Sequence, residues 1–388
     1  MIPYGRHTLD SQDIDGVLEV LASDWLTQGQ LVSQFEQKVA ARFNVANAVA
    51  FNSATSALHA ACTSLGVSQG DTVWTSPNSF VASANCARLC GAEVDFVDID
   101  PLTYNICASA LEKKLQATVP GRLPKVLIPV HFAGQPAAMR EIYKLSREYQ
   151  FKIVEDASHA IGATYEGSPV GNCLYSDISI FSFHPVKNIT TAEGGVAVTN
   201  SVDLAESMSI FRTHGISRDP QQMTYTPDGP WYYEQISLGV NYRMNELEAS
   251  LGITQLDKLD SFNRSRQEIA AFYDGALKEL PINTPFVASG CLSSWHLYVV
   301  RIESRSETSR RNEVFEFMRS NGIGVQVHYI PIYRHPYYRQ FGYSWEEYKQ
   351  TEKYYSEALT LPIYPSLDFD QAKFVARTLS DALTQTRF

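Results

Sequence analysis

Between about residue 47 and residue 200 the chain alternates short, almost wholly apolar runs with segments of helical spacing. AVAF, TVWTS, EVDFVDI, KVLIPVH, FKIVEDA, ISIFSF and GVAVTN are short apolar runs with many β-branched residues and read as seven strands. Runs that stay apolar at successive positions suit strands covered on both faces by crossover helices, so the pattern predicts a largely parallel α/β sheet. Ahead of them, Asp10 or Ser11 caps a first helix with Ile14, Val17, Leu18 and Leu21 along one side. A second helix carries Val32, Phe35, Val39 and Phe43 at helical spacing. Strand-like runs fade after about Asn200. The stretch NELEASLGITQLDKLDSFNRSRQEIAAFYDGALKEL is a long helical pattern, which Pro281 ends. WHLYVVRI, a helix from about Ser309 to Ser320, and GVQVHYIP complete a smaller unit. The expected division is a large α/β domain over residues 1–250, with an N-terminal helical segment, and a small α+β domain over residues 251–388.

Bulk properties narrow the function. A chain of 388 residues is too long for one ordinary domain, and 44% hydrophobic with 19% charged residues describes a chain with a substantial core. The net charge of −10 argues against nucleic acid as partner, because phosphate backbones call for a basic face. Six cysteines at this length do not make a disulfide framework. Cys86 and Cys90, four apart, share a helix face and read as a buried thiol pair, not a metal half-site, since no second ligand pair follows. No metal is expected. MIPYGRHTLDSQD lacks the basic start and apolar segment of a secretion signal, and no apolar run reaches membrane-spanning length, so a cytoplasmic location without membrane attachment is expected.

Chemistry concentrates in three places. In ISIFSFHPVKNITTAEGGVAVTN two apolar strands flank a polar loop holding one lysine, Lys187. Loop lysines ordinarily stay in solvent; one drawn between buried strands loses basicity and becomes an amine able to attack an aldehyde. In FKIVEDASHAIGA, Asp156 falls at the C-terminal end of a strand, where open α/β sheets bind ligands. A carboxylate there either caps the next turn or holds a pyridine nitrogen protonated. His159, three residues on, is a structural histidine or a hydrogen-bond partner for a phenolic oxygen. In AVAFNSATSALHAA a strand leads through small residues into a helix start, where the N–H groups near Ala54, Thr55 and Ser56 can meet a phosphate. Phe80, after the next strand, is core packing or a stacking surface for a planar ring. No Rossmann or Walker fingerprint is present. The order of the set carries more than any member: phosphate turn, aromatic, strand-end aspartate, then lysine about thirty residues later.

These residues are similar to the large domain of the aspartate-aminotransferase superfold (fold type I), whose cofactor is pyridoxal 5′-phosphate (PLP). The stretches LTQG, FNSATSALH, SFVASAN, EDASHAIGA, SFHPVKNITTAEGG, NYRMNE and VQVHYIPIY extend the resemblance, over nearly the whole chain, to the DegT/DnrJ/EryC1/StrS sugar aminotransferases. Within that family FNSATSALH, SFHPVKNITTAEGG and VQVHYIPIY look most like the pseudaminic acid branch. The resemblance implies amination of UDP-2-acetamido-2,6-dideoxy-β-L-arabino-hex-4-ulose at C4, with L-glutamate as donor and 2-oxoglutarate as coproduct. It makes Lys187 the Schiff-base lysine and proton shuttle, Asp156 the pyridinium partner, Phe80 the ring stacker and His159 a neighbour of the phenolic oxygen. Ala54, Thr55 and Ser182 would hold the cofactor phosphate, with Asn241 reaching in from the second subunit of a homodimer. Tyr4, Trp25, Leu26 and Thr27 would line the sugar-nucleotide pocket, with Gln326, His328 and Tyr329 approaching from the small domain. Arg243 is the candidate for the donor's carboxylate. The residues before LTQG, Asp24 and Trp25, lie where the branch varies.

Three other readings stand beside this one. The same chemistry could act on another UDP-, GDP- or dTDP-linked keto-sugar, because the motifs read the cofactor and not the nucleotide. Dehydration at C3 on this fold would need a histidine in place of Lys187. A noncatalytic ligand sensor would be expected to carry a further partner-binding segment, which is not seen.

Overall fold

The computed structural model describes residues 1–303 and 310–385. All seven expected strands form, as β1 (Asn47–Phe51), β2 (Thr72–Thr75), β3 (Glu93–Phe96), β4 (Val126–Ile128), β5 (Lys152–Asp156), β6 (Ile178–Ser182) and β7 (Gly195–Thr199). They make one sheet in the order β1-β7-β6-β5-β4-β2-β3. The pairs from β6 through β3 are parallel, while β7 runs antiparallel to both β1 and β6.

Why the strands read as apolar throughout is visible in where alternate residues go. Val49, Phe51, Val73, Val126, Ile128, Val154, Ile178, Ile180 and Ala197 pack into one helical layer. Their neighbours Ala50, Phe181, Val196 and Val198, or Trp74, Leu127 and Ile153, pack into layers on the other face. Each such aliphatic or aromatic side chain is worth about 1.5–3 kcal/mol when fully buried, so a polar substitution on either face is costly.

The helix α1 (Ser11–Leu21) starts at Asp10 in a capping box with Asp13. Its expected apolar side is a correction: Ile14, Leu18 and Leu21 are exposed, and the buried residues are Asp13 and Val20. Polar anchoring turned the helix over. Asp13 accepts hydrogen bonds from Lys258, Thr254 and Gln255 of the long helix Glu246–Leu277. By contrast, α2 (Leu31–Phe43) buries Phe35, Val39 and Phe43 as its spacing predicts. The long helix begins with a capping box of Asn245 and Glu248 and runs unbroken through residue 250, where the sequence suggested a division. Gly252 lets two elements meet on this helix: a Cβ there would stand 2.7 Å from Phe35 and 2.9 Å from Thr191 of the lysine loop.

The C-terminal part pairs Tyr298–Arg301 with Ala358–Leu361 and covers them with helices Arg310–Ser320 and Phe369–Gln385. The expected helix start at Ser309 lies outside the described residues. GVQVHYIP does not form a strand; only Gln326 makes an isolated bridge, to Thr360. The N-terminus joins this part as well, with Ile2 bridging Ile323 and the Ile363 N–H donating to Tyr4 O. No helix among the described residues is long and apolar enough to cross a membrane.

Candidate active site

A cavity of about 450 Å³ opens at the C-terminal ends of β5 and β6. Its walls include Ala54, Thr55, Phe80, Asp156, His159, Ser182 and Lys187, all drawn from the sequence, together with Tyr4, His328 and Tyr329. Residues far apart in the chain meet here because parallel strands deliver their C-terminal ends to one edge.

At the floor, α3 (Ala54–Ser64) is capped by Ser53, whose Oγ accepts from the Ser56 N–H at 3.1 Å. The Ala54 and Thr55 N–H groups point out of the first turn with no intrahelical acceptor, as an anion site requires. Gly195 makes room for this turn: a Cβ there would lie 2.4 Å from Ala54 N.

Asp156, the last residue of β5, is buried. Its Oδ2 accepts from Ser83 Oγ at 2.6 Å and its Oδ1 from the Ser158 N–H at 3.1 Å. Ser83 lies on α4 (Ala82–Leu89) and shares a second hydrogen bond, 2.8 Å, with Ser79. Two donors fix the carboxylate and leave it lone pairs for a cationic ligand.

Lys187 sits in a partly buried loop whose following residues are anchored, although the buried Asn188 Oδ1 has no partner. Asn188 Nδ2 donates to Asn263 Oδ1 and to Ser294 O, both at 2.8 Å, while Thr190 Oγ1 donates to Phe183 O at 2.8 Å. The amine end of Lys187 is withdrawn from water, and this desolvation lowers its pKa to about 8, with Asp156 opposing. A lysine so placed supplies neutral amine near neutral pH.

His159 is buried and kept neutral, its pKa pushed well below the usual range by burial and then by Lys187 and His328. The Ala133 N–H can only donate, and it reaches His159 Nδ1 at 3.2 Å, so the ring proton is on Nε2. That proton faces Tyr329 Oη at 3.1 Å. A contact between His159 and a cofactor oxygen would share or replace this bond. Burial holds the Tyr329 phenol above its usual range, so it stays protonated. Tyr4 packs against His328 with ring centroids 5.4 Å apart, and His328 is lowered to about 3 by burial and Lys187.

Several expected residues stand elsewhere in this chain. Trp25 lines a separate cavity between α1, α2 and the start of the long helix, and Leu26 and Thr27 are exposed beside it. Gln326 is exposed and bridged to Thr360. Arg243 pairs through its backbone with Phe51 and does not line the cavity. Asn241 is exposed, bridging Thr213. The reason is common to all: adjacency to a motif fixes where a backbone passes, not which cavity its side chain enters. Reading the sequence missed Ser83, Ser158, Glu193 and His296. His296 lines the cavity and packs against His159 with ring centroids 4.3 Å apart and planes tilted by 44°, its buried Nδ1 lacking a partner. Its one signal was a histidine ahead of an apolar run, too common to choose.

A PLP-sized ligand fits this donor set: an anion turn, a desolvated amine, a fixed carboxylate and the exposed face of Phe80. Among the described residues no group of three or more histidines, cysteines or acidic residues could hold a metal.

Residues 7–380 match the model of the DegT/DnrJ/EryC1/StrS aminotransferase family. The UDP-4-amino-4,6-dideoxy-N-acetyl-beta-L-altrosamine transaminase of Campylobacter jejuni is 37% identical over 390 residues, covering 100% of this chain and 99% of that one. The spore coat polysaccharide biosynthesis protein SpsC of Bacillus subtilis is also 37% identical, covering 98% of this chain and 96% of its own. Among solved structures, Helicobacter pylori PseC, an aminotransferase involved in the biosynthesis of pseudoaminic acid, superposes with a TM-score of 0.89 at 32% identity, covering 99% of both chains. PLP is the family's cofactor, and a solved neighbour with a TM-score of 0.91 is in its PLP form. The chain belongs to the DegT/DnrJ/EryC1/StrS aminotransferase family and is a PLP-dependent aminotransferase.

Proposed function

We propose that this enzyme aminates C4 of a UDP-linked 4-keto-6-deoxy-N-acetylhexosamine, UDP-2-acetamido-2,6-dideoxy-β-L-arabino-hex-4-ulose, taking nitrogen from L-glutamate. The observation that carries the reaction is the meeting of Lys187, Asp156 and the first turn of α3 in one cavity. The substrate rests on likeness to the Campylobacter jejuni transaminase and to PseC. When bound, PLP supplies an aldehyde and a protonated ring able to accept electrons. Lys187 Nζ would hold the cofactor's aldehyde end and would take and return the proton moved during the transfer. Asp156 would keep the ring nitrogen protonated, Phe80 would pack against the ring, and Ala54, Thr55 and Ser182 would hold the phosphate. Tyr4, His328 and Tyr329 close the mouth of the cavity toward the sugar. We place the reaction in the cytoplasm, where nucleotide sugars and glutamate are available.

A pocket shaped for the L-arabino ketone presents one sugar face to the amine, so the D-xylo epimer should react at least about tenfold more slowly, roughly 1.4 kcal/mol of misplacement. Comparing kcat/KM for the two UDP ketones, and for dTDP- and GDP-linked 4-ketones, tests the assignment. A preference for a dTDP or GDP sugar overturns the substrate and leaves the transaminase intact. The equal identity to SpsC, a spore coat polysaccharide biosynthesis protein, leaves a different sugar as the second reading.

The active form in this reading is a homodimer with shared sites. Asn241 does not line the cavity, and the chain exposes large apolar side chains, among them Trp231 and Leu238 at 69% and 85%. The outward face of α1, with Ile14, Leu18 and Leu21, adds further apolar surface of the kind subunits cover. Asn241→Asp would set a negative charge beside the partner's phosphate and inactivate each site. Mixed with an inactive Lys187→Ala chain, it should restore about a quarter of wild-type activity at statistical pairing, because one site per mixed dimer escapes both defects. An active monomer by light scattering, or no recovery on mixing, contradicts shared sites.

A further inference from the structure

Lys187 and His159 stand in different loops of the large sheet, one after β6 and one after β5, and side chains from later in the chain tie those loops together. Asn188, the residue after the lysine, is buried and uses both hydrogens of its amide: Nδ2 donates to Asn263 Oδ1 and to Ser294 O, each at 2.8 Å. Each acceptor leads on to the histidine turn. Asn263 Nδ2, on the long helix, donates to Ile161 O at 3.2 Å, and Ser294 Oγ donates to His159 O at 2.7 Å. These partners set the amide orientations, because the carbonyls of Ser294 and Ile161 can only accept. Both bridges lie in tight packing: a Cβ on Gly162 would stand 2.0 Å from Asn263 Nδ2, and one on Gly134 would stand 2.5 Å from Ser294 Oγ. Arg266, one turn beyond Asn263 and fully buried, donates through Nη1 to Trp295 O at 3.1 Å and Ile363 O at 2.9 Å. It thereby holds the segment of Ser294 against the helix.

We propose that Asn188 is a positioning residue that, through Asn263 and Ser294, sets where the Lys187 amine stands relative to His159. The inference rests on the reading of Lys187 as the lysine that holds the cofactor. A lysine side chain has four rotatable bonds, so its amine is placed only as well as its backbone is held. A shift of about 1 Å in a reacting group can slow a reaction on the order of a hundredfold. Asn188 grips the backbone beside Lys187 and leaves the amine itself free to react. Two bridges that end on residues 159 and 161 resist rotation of the loop as well as its displacement. The same tether keeps the amine in the cavity wall, away from water, where desolvation lowers its pKa. A hydrogen bond that served stability alone would have no reason to end on the histidine turn. The Thr190 hydroxyl, two residues on, is of that plainer kind and donates back within its own loop, to Phe183 O.

The Asn188→Ala holoenzyme should lose roughly tenfold in kcat while KM for glutamate stays within about twofold, because the groups that bind substrate are left in place. The readout apart from turnover is the rate at which apoprotein is reconstituted by PLP, followed by absorbance across pH. The wild-type midpoint should lie near the lowered lysine pKa of about 8. In Asn188→Ala the amine regains water, and the midpoint should rise by about one unit toward that of a free lysine. Ser294→Ala removes only the Oγ link to His159 and should shift the midpoint the same way by less. In the Asn188→Ala background it should add almost nothing, since its bridge is already broken there. Thr190→Ala cuts a loop hydrogen bond outside both bridges and is the control for loosening alone: it should lower the melting temperature and leave the midpoint where it was. An unmoved midpoint in Asn188→Ala, an equal shift in Thr190→Ala, or additive shifts from Asn188→Ala and Ser294→Ala overturns the proposal. Should Asn188→Ala not fold, an unmoved midpoint in Ser294→Ala does the same. Borohydride trapping separates this failure from that of the underlying assignment. A label on residue 187 with an unmoved midpoint defeats the tether alone, whereas a label on another lysine defeats both.

Discussion

Lys187→Ala is expected to abolish transamination, by on the order of ten-thousandfold or more, because it removes the nucleophile and the acid–base group together. The wild-type holoprotein should be yellow, and borohydride reduction followed by peptide mapping should place the cofactor on residue 187. A label on any other lysine would overturn the assignment. The environment adds a pH signature. With its pKa lowered to about 8 by desolvation, Lys187 is mostly neutral above that pH and mostly protonated below it. The rate at which the apoprotein is reconstituted by PLP should therefore rise through about pH 8 and level off, not keep climbing toward the pKa of a free lysine. The lysine loop itself should survive the substitution, because Asn188, Thr190 and Thr191 anchor it through hydrogen bonds that do not involve the amine.

Asp156→Asn should slow turnover on the order of a hundredfold while leaving the cofactor bound. Each pKa unit is worth about 1.4 kcal/mol, so losing two units of pyridinium stabilisation costs about 2.7 kcal/mol in the carbanion-forming step. The amide is nearly isosteric, and its oxygen can still accept from the Ser158 N–H while its NH₂ donates to Ser83. The loss would then report charge and not misfolding. Absorbance of the bound cofactor should persist in the variant. Turnover at the wild-type rate would reduce Asp156 to a turn residue. Ser83→Ala offers a gentler companion measurement, because it removes one donor to the same carboxylate without changing its charge.

All seven strands of the sheet were legible in the chain, because burial of most positions on both faces leaves few polar residues to blur the run. So were the cofactor-facing residues Ala54, Thr55, Phe80, Asp156, His159, Ser182 and Lys187, which now line one cavity. Each sits at or close to the end of a strand or the start of a helix, and local pattern fixes where those ends fall. Local pattern did not decide which face of an amphipathic helix is buried. The spacing of Ile14, Leu18 and Leu21 is correct for a helix, yet Asp13 paired with Lys258 turns that face outward. GVQVHYIP has strand composition but meets the C-terminal sheet only where Gln326 bridges Thr360.

What the sequence by itself determined is the architecture of the large sheet, the family, and the residue types the cofactor chemistry needs. What only the tertiary structure decided is who meets whom over long separations. It brings Tyr4 against His328, packs His296 against His159, sets Ser83 on Asp156, and carries Trp25, Arg243 and Asn241 away from this cavity. The physical reason is range. Backbone propensity and hydrophobic period act over a few residues, whereas side-chain contacts depend on how whole elements pack, and that is settled by the burial and polar pairing of the entire chain.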